Sequence, residues 1–195
     1  MKRYTLLAGF VLAALGAAWA AHAADAKIEA LARSCNSCHG LNGVSVGASM
    51  PSIGGLSESY LYNVMLQWKH GERYSATMGR HFKGYSDEEL AGLAKHFSAL
   101  PWVPVVQSAD ARVLAHGKEA TERCETCHGA TGGQPDDKDT PMLNGQWAKY
   151  LELELMKYRT EGVDMPHKKM RKNAQKMGED ADVAAAAKYY AAQPK

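Results

Sequence analysis

Apolar residues recur along this chain at the spacing of amphipathic helices. One apolar face falls at positions i, i+3, i+4 and i+7 and consists of Leu61, Val64, Met65 and Trp68. A later helix is predicted to begin at Ser86, which forms a capping box with Glu89. The apolar face of that helix consists of Leu90, Leu93, Ala94 and Phe97. Both stretches therefore predict helices that bury one side.

Both apolar faces occur a second time. The copy of the first face is interrupted by Glu154, and its other members are Leu151, Leu155 and Tyr158. The copy of the second face consists of Val183, Ala186, Ala187 and Tyr190. A further short helix is predicted near 28–34 and another near 110–123, and no strand-like alternation is present. The pattern predicts an all-α fold.

The duplication extends well beyond these faces. Matching positions lie about 90 residues apart. They pair Cys35 with Cys124, Pro51 with Pro141, Gly55 with Gly145, Tyr60 with Tyr150, Trp68 with Tyr158 and Met78 with Met170. Between the copies, Pro101 and Pro104 stop a helix and stiffen a short connection. We therefore expect two tandem domains, 24–104 and 105–195.

Residues 1–23 have the pattern of a cleaved export signal. Lys2 and Arg3 precede an apolar run over 6–18, and Ala21 and Ala23 satisfy the small-residue rule for cleavage after Ala23. An uncleaved membrane anchor would need about 20 apolar residues, which is more than this run provides. We expect a soluble periplasmic protein without stable membrane insertion.

Removal of the signal changes the charge balance. The sequence has 23 basic and 21 acidic residues and a formal net charge of +2. Lys2 and Arg3 would leave with the signal, which makes the two counts equal and the net charge zero. A neutral protein without a basic tail gives no reason to expect a nucleic-acid partner.

All four cysteines lie in two pentapeptides, 35–39 and 124–128, and each pentapeptide has the form Cys-x-x-Cys-His. This is the attachment signature of c-type haem, in which two thiols bond the haem and the adjacent histidine binds its iron. A zinc site with four cysteines would leave both histidines without a role. We therefore predict two covalent haem c groups on Cys35, Cys38, Cys124 and Cys127, with His39 and His128 as iron ligands.

The sixth iron ligand decides between electron transfer and catalysis. Met78 and Met170 occupy matching positions in the two copies and are the predicted ligands, while Met165 is a rival to Met170. Thioether ligation opposite histidine raises the reduction potential and closes the coordination sphere. Five other histidines are better explained as surface or partly buried residues: His70, His81, His96, His116 and His167.

Residues behind the ligands are also predicted. An axial histidine needs an acceptor for its second ring N–H, and the carbonyls of Pro51 and Pro141 are placed to supply it. Four side chains could donate hydrogen bonds to haem propionates: Trp68, Arg80, Trp147 and Tyr158.

At this level of detail the chain resembles the dihaem cytochrome c4 family, and in particular the cytochrome subunit of flavocytochrome c sulfide dehydrogenase. In the first copy the resemblance is carried by 78–80 and 83–86. In the second copy it is carried by 132–135, 145–147 and 168–170. It implies two tandem class I cytochrome c domains, with His39 and Met78 serving one haem and His128 and Met170 the other.

The resemblance also implies partners. In that family an FAD-containing flavoprotein subunit oxidises sulfide and passes single electrons to the cytochrome subunit. A soluble acceptor, such as a monohaem cytochrome c, receives them. The chain itself has no flavin fingerprint, so the resemblance implies that it is the electron-transfer subunit and that the partner oxidises sulfide.

Two other functions stay open. The chain could be a free cytochrome c4-like carrier to a terminal oxidase, or a dihaem enzyme such as a peroxidase or a thiosulfate dehydrogenase. An enzyme would need an open or unusually ligated haem, and both methionine candidates argue against that. A basic run near the second methionine could steer an acidic acceptor or could be a solvated helix face: Lys168, Lys169, Arg171, Lys172 and Lys176.

Overall fold

The computed structural model describes residues 25–194 and is helical, with no strand in that range. The predicted export signal, 1–23, lies outside the described residues. None of the helices within 25–194 has both the length and the apolar character needed to cross a bilayer. We name residues 25–104 the first half and 105–194 the second half.

Each half has four principal helical segments. In the first half these are α1 (25–39), α2 (Glu58–His70), α3 (Met78–His81) and α4 (Asp87–Ser98). In the second half they are α5 (Ala111–Ala120) with the single turn α6 (Glu125–His128), α7 (Ala148–Arg159), α8 (Lys168–Gln175) and α9 (Asp180–Ala191). The predicted helices are present, and the two short helices that bear the methionines, α3 and α8, are additional.

The first half has one continuous core. The predicted face of α4 is fully buried, and the Ser86 capping box is confirmed, with Ser86 N–H donating to Glu89 and Glu89 N–H donating back to Ser86 Oγ. α4 packs against α2, and Gly92 in α4 lies directly over Ile28 in α1. Because Gly92 has no side chain, these two helices can cross closely.

The core of the second half has two parts. One joins α7 to α9 through Leu151, Ala187 and Tyr190, and the other gathers around Tyr158, Met165 and Ala174. α5 crosses α9 closely, and Gly117 in α5 lies against the backbone of Ala185. The predicted face of α9 is buried throughout.

An extended segment, 101–110, joins the halves. Trp102 belongs to the core of the first half, and its indole N–H donates to the Asn144 carbonyl of the second half at 3.1 Å. Val105 N–H donates to the Gly145 carbonyl at 2.7 Å. The predicted boundary between 104 and 105 falls inside this segment, and it stays a prediction.

Each half has a loop that contacts a helix of the other half. Loop 44–52 of the first half contacts the start of α7, where Trp147 Nε1–H donates to the Ser45 carbonyl at 3.0 Å and Tyr150 N–H donates to the Ala48 carbonyl at 3.1 Å. Loop 136–140 of the second half contacts α2, where Ser59 and Asn63 both donate to Asp139. Loop 44–52 lies between the first signature and α2, and loop 136–140 lies between the second signature and α7. The two contacts therefore fix the positions of both signatures relative to the interface.

The buried amide of Gln146 completes this interface. Its Oε1 accepts from Ser52 N–H at 2.9 Å, and its Nε2–H donates to the Ser52 carbonyl at 2.9 Å. Gln146 and Ser52 are 2% and 1% exposed, respectively. Both polar groups of the side chain are therefore satisfied across the halves without water.

Candidate haem sites

The two signatures end their helices in the same way. α1 ends at residue 39 and α6 at His128, and the next residues, Gly40 and Gly129, have φ of 75° and 74°. A Cβ on Gly40 would lie 1.9 Å from the Val44 carbonyl oxygen. Glycine is required there, because the chain must turn sharply after the histidine to form the loop that reaches the other half.

The two signature histidines are buried and oriented alike. Nδ1–H of His39 donates to the Pro51 carbonyl at 2.9 Å, and Nδ1–H of His128 donates to the Pro141 carbonyl at 3.0 Å. Burial lowers the pKa of both imidazoles, although the proline carbonyl acts in the opposite direction. Each ring is therefore neutral, with Nε2 left as an electron-pair donor that is available to a metal. The predicted hydrogen bonds from the two histidines to the proline carbonyls are therefore present.

A single cavity of about 460 Å³ connects the two sites. Its walls are mainly apolar, and the predicted haem residues that line it are Cys35, His39, Met78, Cys124, Cys127, His128 and Met170. Cys38 is exposed and does not line the cavity, and none of the four cysteines forms a disulfide. An apolar cavity with thiols, a neutral imidazole and a thioether from each half fits a pair of c-type haems.

The methionines are held by different local structures. Met78 begins α3, and its N–H donates to Ser75 Oγ at 2.9 Å. Met170 lies in α8 and packs against the cluster that contains Met165. Met165 is only 5% exposed and is absent from the cavity wall. The structure thus places Met170 at the cavity and Met165 in the core behind it.

The four predicted propionate donors have different surroundings. Trp147 already donates to a backbone carbonyl, and exposed Arg80 donates to the Ala76 carbonyl at 3.0 Å. The Tyr158 hydroxyl accepts a hydrogen bond from Arg73. The indole N–H of Trp68 is buried and has no partner among residues 25–194. Trp68 also lines the cavity and stacks on Phe82, with ring centroids 5.9 Å apart.

Sequence patterns did not identify Arg73, which lies at the centre of the interface. Its guanidinium donates to Glu154 at 3.0 Å and to the Tyr158 hydroxyl at 3.1 Å, and both acceptors belong to α7 of the other half. Glu154 is the residue that interrupts the apolar face of α7. That interruption was the available signal, since a charged residue in an apolar face needs a partner when the helix is buried.

The five basic residues in and directly after α8 differ in their exposure to solvent. Arg171 turns inward and donates to the carbonyls of Thr160 and Val163. The four lysines of the run are exposed, and none has a carboxylate within 4.0 Å among residues 25–194: Lys168, Lys169, Lys172 and Lys176. No group of three or more His, Cys, Asp or Glu side chains that could hold a metal ion is found within residues 25–194.

Comparison with known proteins gives both sequence and structural relatives. No protein-family model matches the chain. It is 31% identical to cytochrome c4 of Pseudomonas aeruginosa, across 92% of this chain and 94% of that protein. It is 32% identical to the thiosulfate dehydrogenase electron acceptor of Thiomonas intermedia, across 94% of this chain and 89% of that protein. It is 41% identical to the cytochrome subunit of sulfide dehydrogenase of Chlorobaculum tepidum, across 39% of this chain and 68% of that protein.

The fold is shared with a solved structure. Reduced recombinant cytochrome c4 from Pseudomonas stutzeri superposes with a TM-score of 0.75 at 25% identity, covering 89% of this chain and 98% of that one. The predicted fold class, all-α with two tandem class I domains, is confirmed by this match and by the absence of strands from residues 25–194.

Proposed function

Because this chain belongs to the cytochrome c4 family and carries two covalent haem c groups, we propose that it is the haem subunit of a periplasmic sulfide dehydrogenase. In this role it accepts single electrons from an FAD-containing subunit and passes them to a soluble acceptor such as a monohaem cytochrome c. Its relatives make it a dihaem electron-transfer protein without catalytic activity of its own.

One observation supports the upstream partner above the others. The cytochrome subunit of sulfide dehydrogenase of Chlorobaculum tepidum has the highest identity of the three relatives compared, 41%. The motifs at 78–80 and 83–86, which carry the resemblance to such subunits in the first half, begin at Met78 and continue just beyond α3. A partner-specific surface is expected beside a haem ligand, since electrons must cross there over a short distance.

We further propose that His39 and Met78 bind one iron and that His128 and Met170 bind the other. The bound haem supplies a one-electron ferric–ferrous couple. Nδ1–H donation to a proline carbonyl fixes each imidazole, so that Nε2 can bind iron without rotation of the ring. Both methionines line the mainly apolar cavity, from which each thioether could reach an iron held there. We also propose two domains, 24–104 and 105–195, each with one haem signature, after a signal at 1–23.

A second candidate is a free dihaem carrier that serves a different dehydrogenase. It is favoured by coverage, because the thiosulfate dehydrogenase electron acceptor matches 94% of this chain, whereas the sulfide dehydrogenase subunit matches 39%. Both candidates use the same haem sites. They differ in which protein contacts the surface.

Stopped-flow reduction of the oxidised holoprotein separates these candidates. One arm contains sulfide and the FAD-containing subunit of a sulfide dehydrogenase, and the other contains thiosulfate and a thiosulfate dehydrogenase. The proposal predicts fast haem reduction in the first arm only, with sulfide alone as the control for direct chemical reduction. Fast reduction in the second arm alone would establish the second candidate instead.

A further inference from the structure

The interface between the haem sites contains one buried charged side chain. Arg73, in the loop after α2, is 5% exposed and is the one buried Lys, Arg, Asp or Glu among residues 25–194. Its guanidinium lies 5.8 Å from the Trp68 ring centroid and 5.5 Å from that of Tyr158. The cation therefore sits between aromatic rings from the two halves, a favourable position for arginine once it is desolvated.

Two buried donors at this point have no acceptor. Nε–H of Arg73 and Nε1–H of Trp68 are both without a hydrogen-bond partner in the described part of the chain. Both side chains line the cavity that the two haem signatures share. Since buried N–H groups are nearly always satisfied, these two indicate an acceptor inside the cavity.

The chemistry of that acceptor follows from the charge at the site. Glu154, the carboxylate that contacts Arg73 among the described residues, already accepts from Arg73 and from Lys157. Burial acts to lower the pKa of Arg73, but the oxygens of Tyr60, Tyr158 and Glu154 raise it, and the net direction is upward. A permanent cation with a free N–H selects a carboxylate. Haem brings carboxylates into such a cavity as its two propionates.

We propose that Arg73 is a counter-cation shared by the two haems: with Trp68 it binds haem carboxylate in the common cavity and raises both reduction potentials together. Reduction adds one electron to a haem, and a fixed positive charge in a medium of low dielectric constant stabilises the reduced form. Glu154 offsets part of that charge from the other half. The inference rests on the two haem sites and not on which dehydrogenase supplies the electrons.

Opposite charge changes at one contact test the proposal. Arg73→Gln removes the cation, and Glu154→Gln removes the charge that offsets it. Redox titration of the isolated dihaem protein should show that Arg73→Gln lowers the ferrous-to-ferric ratio at both haems by about tenfold, or about 59 mV for a one-electron couple. Glu154→Gln should raise the ratio at both haems several-fold. Lysine in place of Arg73 keeps the charge and should stay closer to the parent protein.

The matched control is Arg112→Gln, because the Arg112 side chain is 95% exposed and does not line the cavity. It should move neither potential. Unchanged potentials in Arg73→Gln, or a shift confined to one haem, would overturn the proposal, as would shifts of the same sign in both glutamine variants. If Arg73→Gln does not fold with two haems, the Glu154→Gln result decides alone, and unchanged potentials there reject the idea. Electrode titration needs no partner, so its outcome is independent of the flavoprotein experiment.

Discussion

The two halves keep one haem-binding scaffold and differ where they meet. Each half retains a buried histidine whose ring donates to a proline carbonyl, a glycine that turns the chain, and a loop that grips the other half. At the interface the first half supplies a cation, Arg73, and the second half supplies its acceptors, Glu154 and Tyr158. The two halves have thus kept the residues that surround each haem signature. They have diverged in the side chains that each half contributes to the interface.

The outer surfaces differ as well. Exposed apolar residues follow the first signature, with Leu41, Val46 and Met50 at 74%, 89% and 40% exposure. The second half instead presents four exposed lysines in and directly after α8. Two haem sites with unlike surroundings suit two different partners, one for electron entry and one for exit.

The largest expected effect comes from removing a methionine sulfur. Met170→Leu should lower the potential of one haem by about 200 mV, or about 4–5 kcal/mol, a fraction of the ~0.8 V that axial ligands span. Met78→Leu should do the same to the other haem. Redox titration and the long-wavelength absorption band of Met-ligated ferric haem measure both changes.

Met165→Leu is the matched control for Met170→Leu. Met165 lies in the core rather than on the cavity wall, and exchange of Met for Leu conserves volume. It should cost less than about 1.5 kcal/mol of unfolding free energy and should keep both iron–sulfur bonds. Loss of the absorption band in this variant would reverse the ligand assignment.

The helix crossings should respond unequally to an added methyl group. A Cβ on Gly117 would lie 2.2 Å from the Ala185 carbonyl oxygen, which is backbone and cannot move aside. A Cβ on Gly92 would lie 2.5 Å from the tip of the Ile28 side chain, which can rotate. Gly117→Ala should cost about 2–3 kcal/mol, and Gly92→Ala about 1 kcal/mol or less, because alanine also favours the helix. Urea unfolding of the two holoproteins checks the order, and equal losses would contradict it.

The reciprocal loop contacts should also be unequal. Gln146 is buried and satisfies both backbone groups of Ser52. Gln146→Ala should cost about 2 kcal/mol, because buried donors and acceptors lose their partner. Asp139 is only half-buried, so Asp139→Ala should cost about 0.5–1 kcal/mol, since water can replace the carboxylate. A larger loss for Asp139→Ala in the same unfolding measurement would show that the second loop is the stronger contact.

The smallest expected effect concerns the lysines of α8. Charge reversal at Lys168 and Lys172 should slow electron transfer to an acidic acceptor by about threefold to tenfold at low salt, a change of about 1 kcal/mol. Stopped-flow rates over a range of ionic strength provide the measurement. Charge reversal at two exposed lysines of the first half, Lys83 and Lys95, is the control with the same change in net charge. Equal slowing by both changes would mean that net charge, and not this helix face, controls the encounter.

Local patterns predicted the parts of the structure that depend on residues close in sequence. The α4 face, the Ser86 capping box and the Pro51 carbonyl behind His39 all follow from spacings of a dozen residues or fewer. Periodicity and caps report such relationships well. The helical signature in α1 and the short α3 and α8 helices were not predicted, because their sequences have too few turns to show a period.

The interface could not be predicted from the same patterns. Arg73 and Glu154 are far apart in sequence, as are Ser52 and Gln146, and no periodicity connects residues in different halves. In the sequence Arg73 has the appearance of an ordinary loop cation. Only the break in the α7 face at Glu154 indicated that a charge would be buried there. Long-range pairing of this kind depends on how the halves pack, which the spacing of residues within one half does not encode.

The helix crossings also limit how the halves could be recombined. The small residue is on the last long helix in the first half, Gly92 in α4, and on the first helix in the second half, Gly117 in α5. A hybrid that joined α1 to α9 would bring Ile28 toward Ala185 with no glycine at the crossing, whereas α5 with α4 would bring two glycines together and leave a gap. Although they descend from one ancestral unit, the first and last helices of this protein are no longer interchangeable parts.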